Sequence, residues 1–221
     1  MESTGAAPSA SAAAPPDDDA ATALVHRAQA GELAAFNTLV LRHQDAIYSL
    51  ALRFLGNREG AEDATQEAFI RAYRSIASFR GDRFRSWLFT IVSNVARDEL
   101  RRQQRRPQRS LDEARDDPDT PDLDPPDRAP TPESEAMRGD LRRALETALQ
   151  ELPEQWRMTV VLADVHGLSY EEVAEATGVA VGTVKSRLSR ARGRLRDILR
   201  DSGALGNGEP ADGSRRQKIG R

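Results

Sequence analysis

Between Lys185 and Arg196 the chain carries six basic residues and no acidic one. At 100° per residue, Val184, Leu188, Ala191, Leu195, Ile198 and Leu199 fall in one apolar stripe, with Gly182, Lys185, Ser186, Ser189, Arg190, Gly193 and Arg196 opposite. This predicts a helix from about Val181 to Arg200 with one face for a core and the other for a polyanion. Lysine and arginine pair with phosphates or guanine edges, and the small residues between them let the helix sit close to a groove. Just upstream, Ser169 and Glu172 have capping-box spacing ahead of Val173, Ala174 and Ala176, and Gly178 supplies a turn. Two helices joined in this way, the second with a basic face, read as a helix-turn-helix that enters the major groove. An arginine-rich helix alone is more often a solvated surface. The capped first helix, the turn and the acid-free face together favour duplex DNA.

A second set of residues lies earlier in the chain. From Glu62 to Ile76 an amphipathic helix is predicted, with Ala61, Ala64, Ala68, Phe69, Ala72 and Ile76 on its buried side. Asp63, Gln66, Glu67, Ile70 and Arg74 share the other side. Ile70 within an acid-and-amide stripe points to a protein partner; the plainer reading is a solvent face with one apolar residue. The next helix, about Phe84 to Arg106, places Leu88, Ile91, Val92 and Val95 toward a core and lines up Trp87, Thr90, Asn94, Arg97 and Arg101 along another stripe. An aromatic ring, an amide and two guanidiniums on one line suit single-stranded nucleic acid, because rings stack on unpaired bases and arginines hold the backbone. Trp87 as an ordinary core residue is the rival reading.

The segments that must carry these residues separate by composition. Residues 1–22 are Ala/Pro/Ser-rich, with no basic start or apolar centre of a secretory signal, and read as a disordered tail. Residues 107–138 form a Pro/Asp-rich linker with ten acidic and three basic residues between Pro107 and Glu135. Residues 201–221 read as a Gly-rich tail ending in basic residues. Between them lie two blocks, 23–106 and 139–200, with apolar residues at helical spacing and no hairpin signal. The expected fold class is all-α: two small helical domains on a flexible acidic linker. The net charge of −3 conceals this segregation.

Several functions are disfavoured. There is no Cys, so disulfides, thiolate metal sites and thiol redox sensing are excluded for this chain. His26, His43 and His166 have no second ligand at metal spacing, and no Ser/His/Asp set, Walker loop or dinucleotide motif is visible. No catalytic, cofactor or metal site is expected, and no apolar run is long enough to span a membrane.

At these residues the sequence resembles the extracytoplasmic-function (group IV) sigma factors of the sigma-70 family. Asp63-Ala64-Thr65-Gln66-Glu67-Ala68-Phe69, followed by Ala72-Tyr73, is similar to the family's region 2.2. Phe79-Arg80-Gly81-Asp82 and Phe84-Arg85-Ser86-Trp87-Leu88 are similar to regions 2.3 and 2.4. Gly167 to Ala174 and Val181 to Leu188 are similar to the region 4.2 helix-turn-helix, and Leu152-Pro153-Glu154-Gln155 to the turn that opens that domain. Ala180 departs from the family, which often has Pro there, and cannot cap the helix through its side chain.

The resemblance implies that Asp63, Gln66, Glu67, Phe69, Ile70 and Arg74 bind the beta-prime clamp helices of core RNA polymerase. It implies that Phe79, Arg80, Asp82, Phe84, Trp87, Thr90, Asn94, Arg97 and Arg101 capture the melted minus-ten strand, with Phe79 to Phe84 as specificity loop and Asn94 near the base pocket. Tyr170, Gly182, Thr183, Lys185, Ser186, Arg187, Ser189, Arg190 and Arg192 would face the minus-thirty-five duplex. The implied partners are core polymerase, including its beta flap, promoter DNA and an anti-sigma factor, with no small-molecule substrate. The implied setting is the bacterial cytoplasm, with the chain at the nucleoid when active or held at the membrane by the anti-sigma factor, serving a stress or envelope regulon. The rivals are a helix-turn-helix regulator that works without polymerase and a nucleic-acid enzyme with a helix-turn-helix appendage.

Overall fold

The computed structural model describes residues 18–81, 83–105 and 132–204, and every regular element among them is helical. The first block contains α1 (Asp18–Gln29), α2 (Leu33–Leu55), α3 (Arg58–Ser75), a 3-10 turn (Ile76–Ser78) and α4 (Phe84–Arg105). The second contains α5 (Pro132–Gln150), α6 (Glu154–Val160), a π-helical turn (Val161–Val165), α7 (Tyr170–Thr177) and α8 (Val181–Asp201). The expected starts at 23 and 139 both move upstream. Asp18 opens α1 within the segment read as a tail, and Pro132 opens α5 within the segment read as linker. Proline is well suited to the first turn of a helix, where its missing N–H costs nothing. The intervening residues of the expected linker, and the expected tails outside 18–204, lie outside the described residues.

Local chemistry sets the boundaries. Asn57 accepts a bond from the Gly60 amide at 2.8 Å and so caps α3. Ser169 and Glu172 form the expected capping box at α7, which ends on left-handed Gly178. Ala180 heads α8 without a side-chain cap, as its apolar side chain requires. Val184, Leu188, Ala191, Leu195, Ile198 and Leu199 are all buried. In the first block Ala61, Ala64, Ala68 and Ala72 form the inner side of α3, small enough for it to pack closely on α2 and α4.

The two blocks do not stand apart. Their buried residues form one continuous core, α5 and α6 pack on α2, and α7 lies against both α4 and α8. The seam is polar where α2 ends. Its last carbonyls lack partners within the helix: the Gln150 amide donates to Arg53 O at 2.9 Å, and Arg157 Nη1 donates to Phe54 O at 2.7 Å. Arg157 also donates to Gln150 O at 2.7 Å and Leu152 O at 3.2 Å, and it is only 9% exposed. A guanidinium at a helix C-terminus further benefits from the negative end of the helix dipole. Glycine suits position 56 because its φ is 77°, and the end of the Gln150 side chain occupies the space beside it, 2.7 Å from where a Cβ would lie.

Candidate polymerase and nucleic-acid interfaces

Helix α3 presents the expected stripe. Asp63, Gln66, Ile70 and Arg74 are exposed, Ile70 at 40%, and Glu67 is half-buried beside Arg71, whose Nε donates to it at 2.7 Å. Phe69 is half-buried and packs against the core, so it offers only an edge to a partner. Tyr73, 49% exposed, lies on the same helix and meets the Phe36 ring edge-on at 5.0 Å. Two large apolar groups among acids and amides make this a surface with something to gain from burial.

Around the start of α4, Phe79, Phe84 and Trp87 form a ring cluster with centroids 4.9–6.0 Å apart. Phe84 is buried, while Phe79 and Trp87 are half-buried. Trp87 therefore packs on one side and remains open on the other, which combines the two readings of it. Arg80 is exposed, with Nη1 on Ala77 O at 2.7 Å; Asp82 lies outside the described residues. Farther along α4, Asn94 and Arg101 are exposed, and Arg101 with Asp98, Arg102 and Arg105 lines a shallow cavity of about 440 Å³. Thr90 is half-buried and its hydroxyl donates to Ser86 O.

Arg97 behaves differently from the expectation. It is half-buried, and Nη2 donates to Ala176 O of α7 at 3.3 Å. Two more residues at the head of α4 face the second block: Arg85 donates to His166 O, and the Ser86 hydroxyl donates to Glu172. Arg83 stands 3.9 Å from the same carboxylate. Burial would raise the Glu172 pKa, but the bonds from Ser86 and Ser169 and the charge of Arg83 outweigh it and hold the carboxyl below its usual range. One glutamate thus caps α7 and ties it to α4. Sequence spacing discloses only the cap.

His166 sits in the same seam, 8% exposed, with its ring 4.9 Å from that of Phe89. Burial, with Arg53 and Arg85 close by, lowers its pKa from 6.5 to about 3. The folded chain therefore holds it neutral while the unfolded chain protonates it near 6.5. The resulting stability is full above pH 6.5 and is lost as pH falls toward 3. Lowering the pH to about 5.5 removes about 1 kcal/mol through this residue. In thermal denaturation at about pH 7.5 and 5.5, His166→Phe shows a smaller difference than the parent; an equal difference would exclude this role.

On α8, Gly182, Lys185, Ser186, Ser189, Arg190 and Arg192 are exposed, and Thr183 and Arg187 are half-buried. Lys185 and Arg190 form no ion pair among the described residues, although Lys185 Nζ lies 5.9 Å from the exposed ring of Tyr170. Arg187 is engaged by Gln155 at 2.7 Å, and Arg192 by Asp164 through bonds of 2.9 and 2.6 Å. The basic face therefore divides into cations held by the domain itself and cations available to a ligand. Among the described residues no cluster of His, Asp or Glu is placed to hold a metal ion.

Comparison with known proteins matches residues 39–106 to sigma-70 region 2 and residues 142–195 to sigma-70 region 4. The ECF RNA polymerase sigma factor SigE of Mycolicibacterium smegmatis is 41% identical over 164 residues, spanning 74% of this chain and 61% of that relative. The ECF RNA polymerase sigma-E factor of Haemophilus influenzae is 41% identical over 172 residues, spanning 77% of this chain and 90% of the relative. Among solved structures, the sigma factor RpoE in complex with the anti-sigma factor NepR from Bartonella quintana superposes with a TM-score of 0.56 at 26% identity, over 75% of this chain and 96% of that one.

Proposed function

The chain belongs to the extracytoplasmic-function RNA polymerase sigma factors, and from this premise we infer that it binds core polymerase and directs promoter recognition, melting and initiation. Its partners are core polymerase, promoter DNA and an anti-sigma factor. It acts by binding alone, in the cytoplasm, and moves to the nucleoid when engaged; no helix among the described residues is long and apolar enough to cross a membrane. In this reading α3 docks on the polymerase, the Phe79–Arg101 surface traps the unpaired minus-ten strand, and α8 reads the upstream duplex. Trapping an unstacked base costs a few kcal/mol, which docking on core and phosphate contacts offset.

The observation that carries the reading is the exposed acid-and-amide stripe of α3 with Ile70 at its centre, in the same chain as a basic helix-turn-helix. A regulator working without polymerase would leave that stripe without a role. Ile70→Asp is therefore expected to weaken binding to core polymerase about tenfold while leaving duplex binding unchanged, since a desolvated apolar contact is replaced by a buried charge. Titration of labelled chain with core enzyme measures it. Equal affinities would remove α3 from the interface.

The closed seam bears on how the chain is used. Elements about 25 base pairs apart are separated by about 85 Å of duplex, yet α7 touches α4. Both readers can engage one promoter only after α7 leaves α4. Covalent geometry permits this: the chain from Arg105 to Pro132 can span about 90 Å when fully extended.

A further inference from the structure

Helix α1 enters none of the interfaces above, yet it reaches the loop that follows the 3-10 turn. Buried Val25 and Ala28 anchor it to the core. From the same helix, Gln29 Nε2 donates to Ile76 O at 3.2 Å and to Phe79 O at 2.9 Å. The loop's other bonds are its own: Phe79 N bonds Ile76 O at 3.1 Å, Arg80 Nη1 donates to Ala77 O at 2.7 Å and Phe79 O at 3.0 Å, and the next backbone bond in the described loop is Trp87 N to Arg83 O. Gly81 lies over the Phe79 ring, where an added Cβ would be in contact with Cζ at 3.4 Å. Between α1 and the loop is a cavity of about 340 Å³, lined by Thr22, His26, Gln29, Phe79, Gly81 and Phe84. That space exceeds what one nucleobase needs, and its walls supply aromatic surface as well as polar groups.

We propose that Gln29 is a positioning residue for recognition of the unpaired minus-ten strand, fixing the Phe79–Gly81 backbone so that the loop and α1 together wall a pocket for a single base. The inference rests on the assignment of that loop to the minus-ten strand. Gln29 acts through the loop: Ile76 O and Phe79 O each have a donor that belongs to the loop itself, Phe79 N and Arg80 Nη1, whereas the Gln29 amide ties the same two carbonyls to α1, and without it the loop is free to move away from that helix.

The test uses holoenzyme assembled from core polymerase and the full chain, with a pool of DNAs in which both an upstream duplex segment and an adjoining unpaired segment are randomised. Gln29→Met keeps the volume and removes the donors; Gln29→Lys restores a donor to the same carbonyls. The expected result is that Gln29→Met reduces base preference in the unpaired segment about tenfold, with core affinity and duplex preference unchanged, and that Gln29→Lys recovers much of it. Preference is read rather than affinity because the added lysine charge strengthens binding to every sequence alike. Unchanged base preference in Gln29→Met overturns the proposal, as does loss of core binding and duplex preference together, which would mean general unfolding. If the unaltered chain selects no base in the unpaired segment, the minus-ten assignment itself fails and the proposal falls with it.

Discussion

Replacing Arg157 by alanine is expected to lower the thermal midpoint by about 10 °C and to detach the second helical block from the first. The guanidinium reaches three main-chain carbonyls, Phe54 O, Gln150 O and Leu152 O, and the side-chain oxygen of Gln150. Removing it leaves acceptors at the end of α2 and after α5 without donors in a dry seam. At 1–3 kcal/mol for a buried group left unsatisfied, a total of about 3 kcal/mol is reasonable, and for a chain of this size each kcal/mol moves the midpoint by about 3 °C. Burial pulls the Arg157 pKa down, so part of the gain offsets a desolvation cost, which keeps the total near the lower end of the sum. Arg157→Met separates causes: it keeps the apolar stem, and because the fork carries the effect it should behave like alanine. Calorimetry gives the midpoint and small-angle scattering the separation of the blocks. A methionine variant as stable and compact as the parent would show that stem packing, not carbonyl satisfaction, closes the seam.

The second large effect is expected at α8. Lys185→Ala combined with Arg190→Ala should weaken binding to a duplex selected from a randomised pool about 100-fold, at about 1–3 kcal/mol for each cation removed from the groove. The dependence of log affinity on log salt should become shallower by about 1.8, because each phosphate neutralised contributes about 0.9. Arg192→Ala should do less. Its guanidinium is already bonded twice to Asp164, so whatever it donates to DNA must first be withdrawn from that carboxylate. Unchanged affinity and slope in the double variant across a salt series would take α8 out of the groove.

These two residue sets also mark what the sequence could and could not disclose. Helix α8 was legible because its apolar stripe, its basic face and the capping box before it are all local patterns, set by residues a few positions apart. The α3 stripe was legible for the same reason. The seam was not. Ser86 meets Glu172 across 86 positions and Arg157 meets Phe54 across 103, and nothing in the periodicity of either helix distinguishes a buried arginine from one on the surface. The family resemblance places Arg192 at the duplex, and its pairing with Asp164, 28 positions away, is not a local pattern that a sequence displays. Arg97 was placed on the strand-binding stripe by helical geometry, but the stripe alone could not show that α7 covers part of it. The starts of α1 and α5 were missed because Asp18 and Pro132 sit in stretches whose overall composition is that of unstructured chain.

The most direct measurement is run-off transcription from core polymerase with and without this chain, on a template carrying a duplex and melted-strand sequence selected by the holoenzyme. A single new transcript that requires the chain, lost with Ile70→Asp and strongly reduced with Lys185→Ala and Arg190→Ala together, is the predicted result. Duplex binding by the chain with no change in the transcripts made by core polymerase would contradict the account, and would leave a DNA-binding regulator in place of an initiation factor.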